Sequence, residues 1–80
     1  MPEEKHWLFL RVVYDLTNGD PERGVETTQV AQILNIPYTL EDALAVSREL
    51  RNAELIKETG PLGTVVSLTD DGRRFVEENA

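Results

Sequence analysis

Leu50-Arg51-Asn52-Ala53-Glu54-Leu55-Ile56-Lys57-Glu58-Thr59-Gly60-Pro61-Leu62-Gly63-Thr64-Val65-Val66-Ser67-Leu68-Thr69-Asp70-Asp71-Gly72-Arg73-Arg74-Phe75 is the stretch that decides the architecture. Its first three residues close a helix. Residues 55–59 and 64–68 are two β-prone runs, and Gly60-Pro61-Leu62-Gly63 between them is a turn. The connection is short, so the two runs predict one hairpin rather than two separate strands. Thr69 then caps a last helix, with Asp70 and Asp71 in the first turn, where the helix dipole favours acids. Phe75 and Val76 would dock that helix on the core.

Upstream, Leu40, Ala43, Leu44, Ser47 and Leu50 follow helical spacing and predict a helix from Thr39 to about Asn52. Thr39-Leu40-Glu41-Asp42 resembles a capping box, with Asp in place of the preferred Glu or Gln. Before it, Thr27 or Thr28 caps a shorter helix whose buried side is Val30, Ala31, Ile33 and Leu34, and Pro37 stops it. Val25-Glu26 can form a short strand leading into that helix. Residues 18–24 are a polar, turn-rich loop, with αL geometry expected at Gly19.

Residues 3–17 predict the first helix. Phe9, Val12, Val13 and Leu16 share one face, and Trp7, Leu10 and Tyr14 share a second. A helix apolar on two sides is mostly buried or bridges two bodies.

The totals bound the function. Eighty residues make one small domain, residues 1–80. A chain of this size buries only about 60% of the surface its unfolded form exposes. There is room for a binding module and little for an enzyme cleft. Absence of cysteine excludes disulfides, thiolate zinc sites and a thiol switch. No stretch approaches the roughly 20 apolar residues of a membrane span, and the acidic start Met1-Pro2-Glu3-Glu4-Lys5 is unlike a secretion signal. A cytoplasmic protein without membrane contact is the expectation. His6 has no ligand set beside it, so neither a metal nor a cofactor is expected. No Ser-His-acid set or Gly-rich phosphate loop is legible, so no catalytic residue is assigned. The formal charge is −7, from 15 acids and 8 bases, whereas nucleic-acid binders are usually basic on at least one face. A salt-adapted source would also enrich acids.

The order helix, short strand, helix, helix, strand, strand, helix resembles a winged helix-turn-helix, α+β in class and mainly α. The chain is most similar to the MarR/PadR-like transcriptional regulators, over roughly residues 25–78. The run ending Leu68-Thr69-Asp70-Asp71-Gly72-x2-Phe75 carries most of the likeness. The resemblance implies that the helix from Thr39 to Asn52 is the recognition helix, lying in the major groove, and that residues 60–63 are the wing tip. Several departures stand beside it. The turn Ile36-Pro37-Tyr38-Thr39 is about two residues longer than the family norm. The wing tip carries Pro61 and Leu62 in place of Arg or Lys. Eighty residues are too few for the family's dimerisation arms, so none is expected here.

On that helix the outward positions read Glu41, Asp42, Ala45, Arg48, Glu49 and Asn52, a net acidic face that would repel phosphate. Arg48, Arg51 and Lys57 form either a small phosphate-binding patch or a solvated set paired with Glu49, Glu54 or Glu58. Tyr38 either stacks on a base or packs on the core. Trp7, Leu10 and Tyr14 form either a partner or dimer surface, for which aromatics are typical, or an interior face covered by the closing helix.

Two functions follow as expectations. The first is a small DNA-binding regulator acting as a dimer on double-stranded DNA. Arg48, Arg51, Asn52 and Lys57 would carry its contacts, Thr39 and Thr64 would donate from the backbone, and helix 1 would make the homodimer. The second is an acidic module that binds a protein partner, favoured by the acidic helix face and the apolar wing tip.

Overall fold

The computed structural model describes residues 4–34, 40–60 and 64–79. The elements run α1(Glu4–Thr17), β1(Val25–Glu26), α2(Thr27–Leu34), α3(Leu40–Asn52), β2(Ile56–Thr59), β3(Val65–Leu68) and α4(Asp70–Asn79). Among the described residues this is the expected α+β order, four helices around a small antiparallel sheet of order β1-β3-β2. The hairpin pairs Ile56 with Leu68 and Thr59 with Val65. The short strand before α2 also forms, pairing Val25 with Val66.

The core gathers one stripe from each helix against the inner face of the sheet. Phe9, Leu10 and Val13 of α1 meet Val30 of α2, Ala43 and Leu50 of α3, Ile56, Val66 and Leu68 of the sheet, and Val76 of α4. Alternation along β2 buries Ile56 and turns Lys57 outward, as a strand period of two requires.

The helix ends follow local chemistry. At the end of α1, Asn18 and Gly19 both take left-handed backbone, φ 55 and 73. The Gly19 amide reaches back to the Tyr14 carbonyl at 2.9 Å, which closes the last turn. The end of α3 repeats the device without a glycine: Glu54 has φ 63 and the Leu55 amide donates to the Leu50 carbonyl at 3.0 Å.

Thr69 caps α4 as expected, its hydroxyl accepting from the Gly72 amide at 2.9 Å. The same hydroxyl donates to the Glu54 carbonyl at 2.6 Å, so the cap also ties α4 to the end of α3. At α2 the expected cap has another role. Thr27 is buried, and both its amide (2.9 Å) and its hydroxyl (3.0 Å) donate to the Thr64 carbonyl. That clamp anchors α2 to the start of β3.

Two assignments of burial need correction. Ile33, expected on the buried side of α2, is 51% exposed, and Leu44, in register with the apolar positions of α3, is 45% exposed. Val46 is buried on α3 instead. Spacing places Leu44 between the core stripe and the outer face, and only the neighbouring elements decide which side covers it.

Candidate functional site

The exposed side of α3 is built by its helical phase. At about 100° per residue, Glu41, Ala45, Arg48 and Asn52 project within about 40° of one direction. Leu44 and Arg51 flank them on one side, Asp42 and Glu49 on the other. Ala43, Val46, Ser47 and Leu50 point the opposite way and are buried.

The two flanks meet different partners. On the Asp42 and Glu49 side lies the start of α1. Lys5 Nζ is 3.7 Å from an Asp42 carboxylate oxygen, and His6 Nε2 is 3.3 Å from a Glu49 carboxylate oxygen. On the Arg51 side lies the hairpin. Glu58 of β2 accepts from the Ser47 hydroxyl at 3.1 Å and from the Arg51 guanidinium at 3.3 Å. Asp42 is therefore paired with Lys5, Glu49 touches the His6 ring while its side chain stays 61% exposed, and the central stripe keeps one acid, Glu41, and one base, Arg48. Since Glu41 and Glu49 stay exposed, the acidity of the face read from α3 alone is lowered and not removed by these contacts. Nothing local signals them, since His6 and Glu49 are 43 residues apart.

The expected basic patch is only partly assembled. Arg48, Asn52 and Lys57 are exposed, and Arg48 and Lys57 enter no ion pair among the described residues. Arg51 is half exposed but engaged by Glu58. Arg51 and Lys57 also line an open groove of about 680 Å³ beside β2, whose other walls include Glu54, Glu58, Asp70 and Asp71. Carboxylates outnumber the bases there, so that groove does not attract an anion. Thr64 is exposed, and its carbonyl is already held by Thr27. Thr39 and Tyr38, the turn residues Ile36 and Pro37, and the tip residues Pro61, Leu62 and Gly63 lie outside the described residues.

The surface weighed for α1 is only partly covered, with Trp7 and Tyr14 half-buried. Leu10 is fully buried, so it cannot serve a partner or dimer interface. Trp7 packs edge-on against Phe75 of α4, ring centroids 6.1 Å apart at 62°. The Tyr14 hydroxyl donates to a Glu77 carboxylate at 3.0 Å. That bond, with burial and the negative charge of Glu77, raises the Tyr14 pKa above its usual value. The closing helix covers part of this face because Phe75 and Val76 fall on its inner side.

No protein-family model matches the chain, and no curated protein matches it in sequence. Among solved structures, the fold is similar to the crystal structure of AF1382 from Archaeoglobus fulgidus. The TM-score is 0.79 at 19% identity, over 99% of this chain and 84% of that one. At that identity the likeness speaks for the arrangement of helices and sheet, and not for a shared activity.

Among the described residues no three His, Asp or Glu side chains converge as a metal site, and no helix is long and apolar enough to cross a membrane.

Proposed function

We propose that the chain is a winged helix-turn-helix domain, similar to the MarR/PadR-like regulators, that binds double-stranded DNA in the cytoplasm as a transcriptional regulator. The observation that carries this reading is the outward stripe of α3. Asp42 pairs with Lys5 of α1, and Arg48, Asn52 and Ala45 stand foremost, with Glu41 at the helix start and Glu49 exposed on the flank. α3 enters the major groove with this stripe. Lys57, on the outer face of the hairpin, reaches the phosphate backbone only past the carboxylates of Glu54, Glu58, Asp70 and Asp71 that share its groove. Arg51 joins it only by exchanging Glu58 for a phosphate. The reading includes no catalytic step, metal or cofactor. If the site is two-fold, the dimer forms without Leu10, which is buried.

A salt titration of binding to a mixed-sequence duplex of about 25 base pairs tests it. Two or three cationic contacts predict a slope of about −2 to −3 in log K against log salt. Absence of binding even at low salt would remove the proposal.

A second reading has its own support. Leu44 and Ile33 are exposed apolar side chains on α3 and α2, and the net charge is −7. An acidic protein-binding module would use such residues as anchors. Capture from the native extract with and without nuclease separates the two: a protein partner that survives nuclease favours the module.

A further inference from the structure

The hairpin leaves one strand edge open. β3 is central in the sheet and β2 lies at its margin. The Thr69 amide donates to the Leu55 carbonyl at 3.2 Å, one step before the pair Ile56 and Leu68. Bonded and non-bonded pairs alternate along an antiparallel ladder. Lys57 and Thr59 therefore direct their amides and carbonyls to β3, and those of Ile56 and Glu58 point away from it. The far side of β3 keeps the same phase. The Thr27 amide donates to Thr64, so Val66 serves β1 while Val65 and Ser67 serve β2. Among the described residues no helix or loop backbone bonds to the Ile56 or Glu58 amide or carbonyl. An unpaired edge of this kind is a template for a strand from another chain.

Charge selects the occupant. The open groove of about 680 Å³ beside β2 is lined by Ile56, Lys57 and Glu58 together with Glu54, Asp70 and Asp71. Glu58 already holds Arg51, and Asp71 lies 3.6 Å from Arg74. Glu54 and Asp70 are exposed and enter no ion pair among the described residues. A second copy of the chain fits poorly. Antiparallel pairing through Ile56 and Glu58 sets Lys57 against Lys57, Glu58 against Glu58, or Glu58 against Glu54, and like charges directly opposite are destabilising. A phosphate backbone meets the same carboxylates and is repelled. A cationic strand meets neither obstacle. We propose that β2 is a docking edge for an extended, basic peptide segment of a protein partner, which adds to the sheet beside β2 and sets Lys or Arg against Glu54 and Asp70. The proposal rests on neither reading of α3. Main-chain bonds to Ile56 and Glu58 fix the register of the segment, and the two unpaired carboxylates select its charge.

The probe is a positional set of short acetylated peptides, Thr alternating with Val, each carrying a pair of Lys at a different place. A matched set carries Glu instead. Binding to the full chain is followed by fluorescence polarisation, and amide exchange by NMR. A Lys peptide should bind and its Glu counterpart should not. On binding, exchange should slow at the Ile56 and Glu58 amides and change little at Lys57 and Thr59, which β3 already holds. N-methylating the peptide at one set of alternate positions should weaken binding about tenfold, because those amides face β2. The other set should leave binding unchanged. Glu54→Asn with Asp70→Asn should weaken the Lys peptide about fivefold. Asparagine suits the left-handed backbone at residue 54, φ 63, and circular dichroism checks the fold. The N-methyl series uses the unaltered chain, so it decides the matter even if that variant fails to fold. No binding of any Lys peptide by about 1 mM overturns the proposal. So does equal binding of the Glu set, or binding indifferent to both N-methyl sets, which is charge attraction without strand pairing. Slow exchange at Ile56 and Glu58 in the free chain, growing with protein concentration, gives the edge to a second copy and also overturns it.

Discussion

Gly72→Ala should unfold much of the molecule's stability margin, although alanine is the better helix former. Gly72 is buried near the start of α4. A Cβ there would sit 2.9 Å from the Leu55 carbonyl carbon and closer still to its oxygen, too near for any rotamer to relieve, because the clash is with the Cβ itself. The opposing backbone cannot easily withdraw. The Leu55 oxygen accepts from the Thr69 amide at 3.2 Å, the Leu55 amide donates to Leu50, and the Glu54 carbonyl is held by the Thr69 hydroxyl. Overpacking a rigid site costs about 1–3 kcal/mol, and each hydrogen bond lost in retreat adds roughly 1 kcal/mol. Alanine returns at most about 1 kcal/mol of helix propensity. A net loss of about 2–4 kcal/mol stands against a total of roughly 4–12 kcal/mol for 80 residues. At about 4–8 °C per kcal/mol, Tm should fall by roughly 10–25 °C. Urea unfolding followed by circular dichroism measures it, with the m-value unchanged if the native state keeps its surface. A Gly72→Ala chain as stable as the parent, or more so, would refute the close approach of α4 to the end of α3.

Three other perturbations probe the rest. Leu10→Ala should cost about 2–5 kcal/mol as a cavity in the core and leave the mass in light scattering unchanged; a change of oligomeric state at constant stability would reopen the α1 interface. Tyr14 should titrate above its ordinary value, seen by phenolate absorbance. Its folded pKa is raised, so the stabilisation is complete below the unfolded value of 10.0 and is lost as pH rises through the folded value; Tyr14→Phe should remove that alkaline loss, and persistence of the same loss would assign it to another group. Arg51→Ala should change stability by no more than about 1 kcal/mol, because the pair is half exposed. Glu58→Ala should cost more, about 1–3 kcal/mol, since it strands the buried Ser47 hydroxyl. Equal effects from the two in urea unfolding would contradict that division.

Much of the architecture was legible from local chemistry. Thr69 with Asp70 and Asp71 announces a helix start, residues 60–63 announce a turn between β-prone runs, and Asn18-Gly19 announces a helix end. Each signal works through a few neighbouring residues, so it survives without knowledge of the fold. The strand Val25–Glu26 was legible as a possibility, but its partner β3 lies some forty residues away in sequence.

Burial at the margins of the helix faces was not legible. Ile33 and Leu44 have the spacing of core residues and are exposed, while Leu10, which reads as part of a partner surface, is sealed. A hydrophobic stripe gives the direction a helix faces and not the width of what covers it. That width is set by neighbouring elements, as α4 covers Trp7 through Phe75.

The charge of the α3 face shows the same division. The order of elements, the caps and the net charge of −7 belong to the sequence alone, because they depend on composition and on short-range spacing. Which acids of the α3 face find a partner was decided by tertiary structure. Lys5 and His6 reach Asp42 and Glu49 only because α1 packs beside α3, and Glu58 reaches Ser47 and Arg51 only because the hairpin folds against the other flank. Side-chain pairing acts over a few ångströms in space, and sequence distance carries no information about it until the chain has closed.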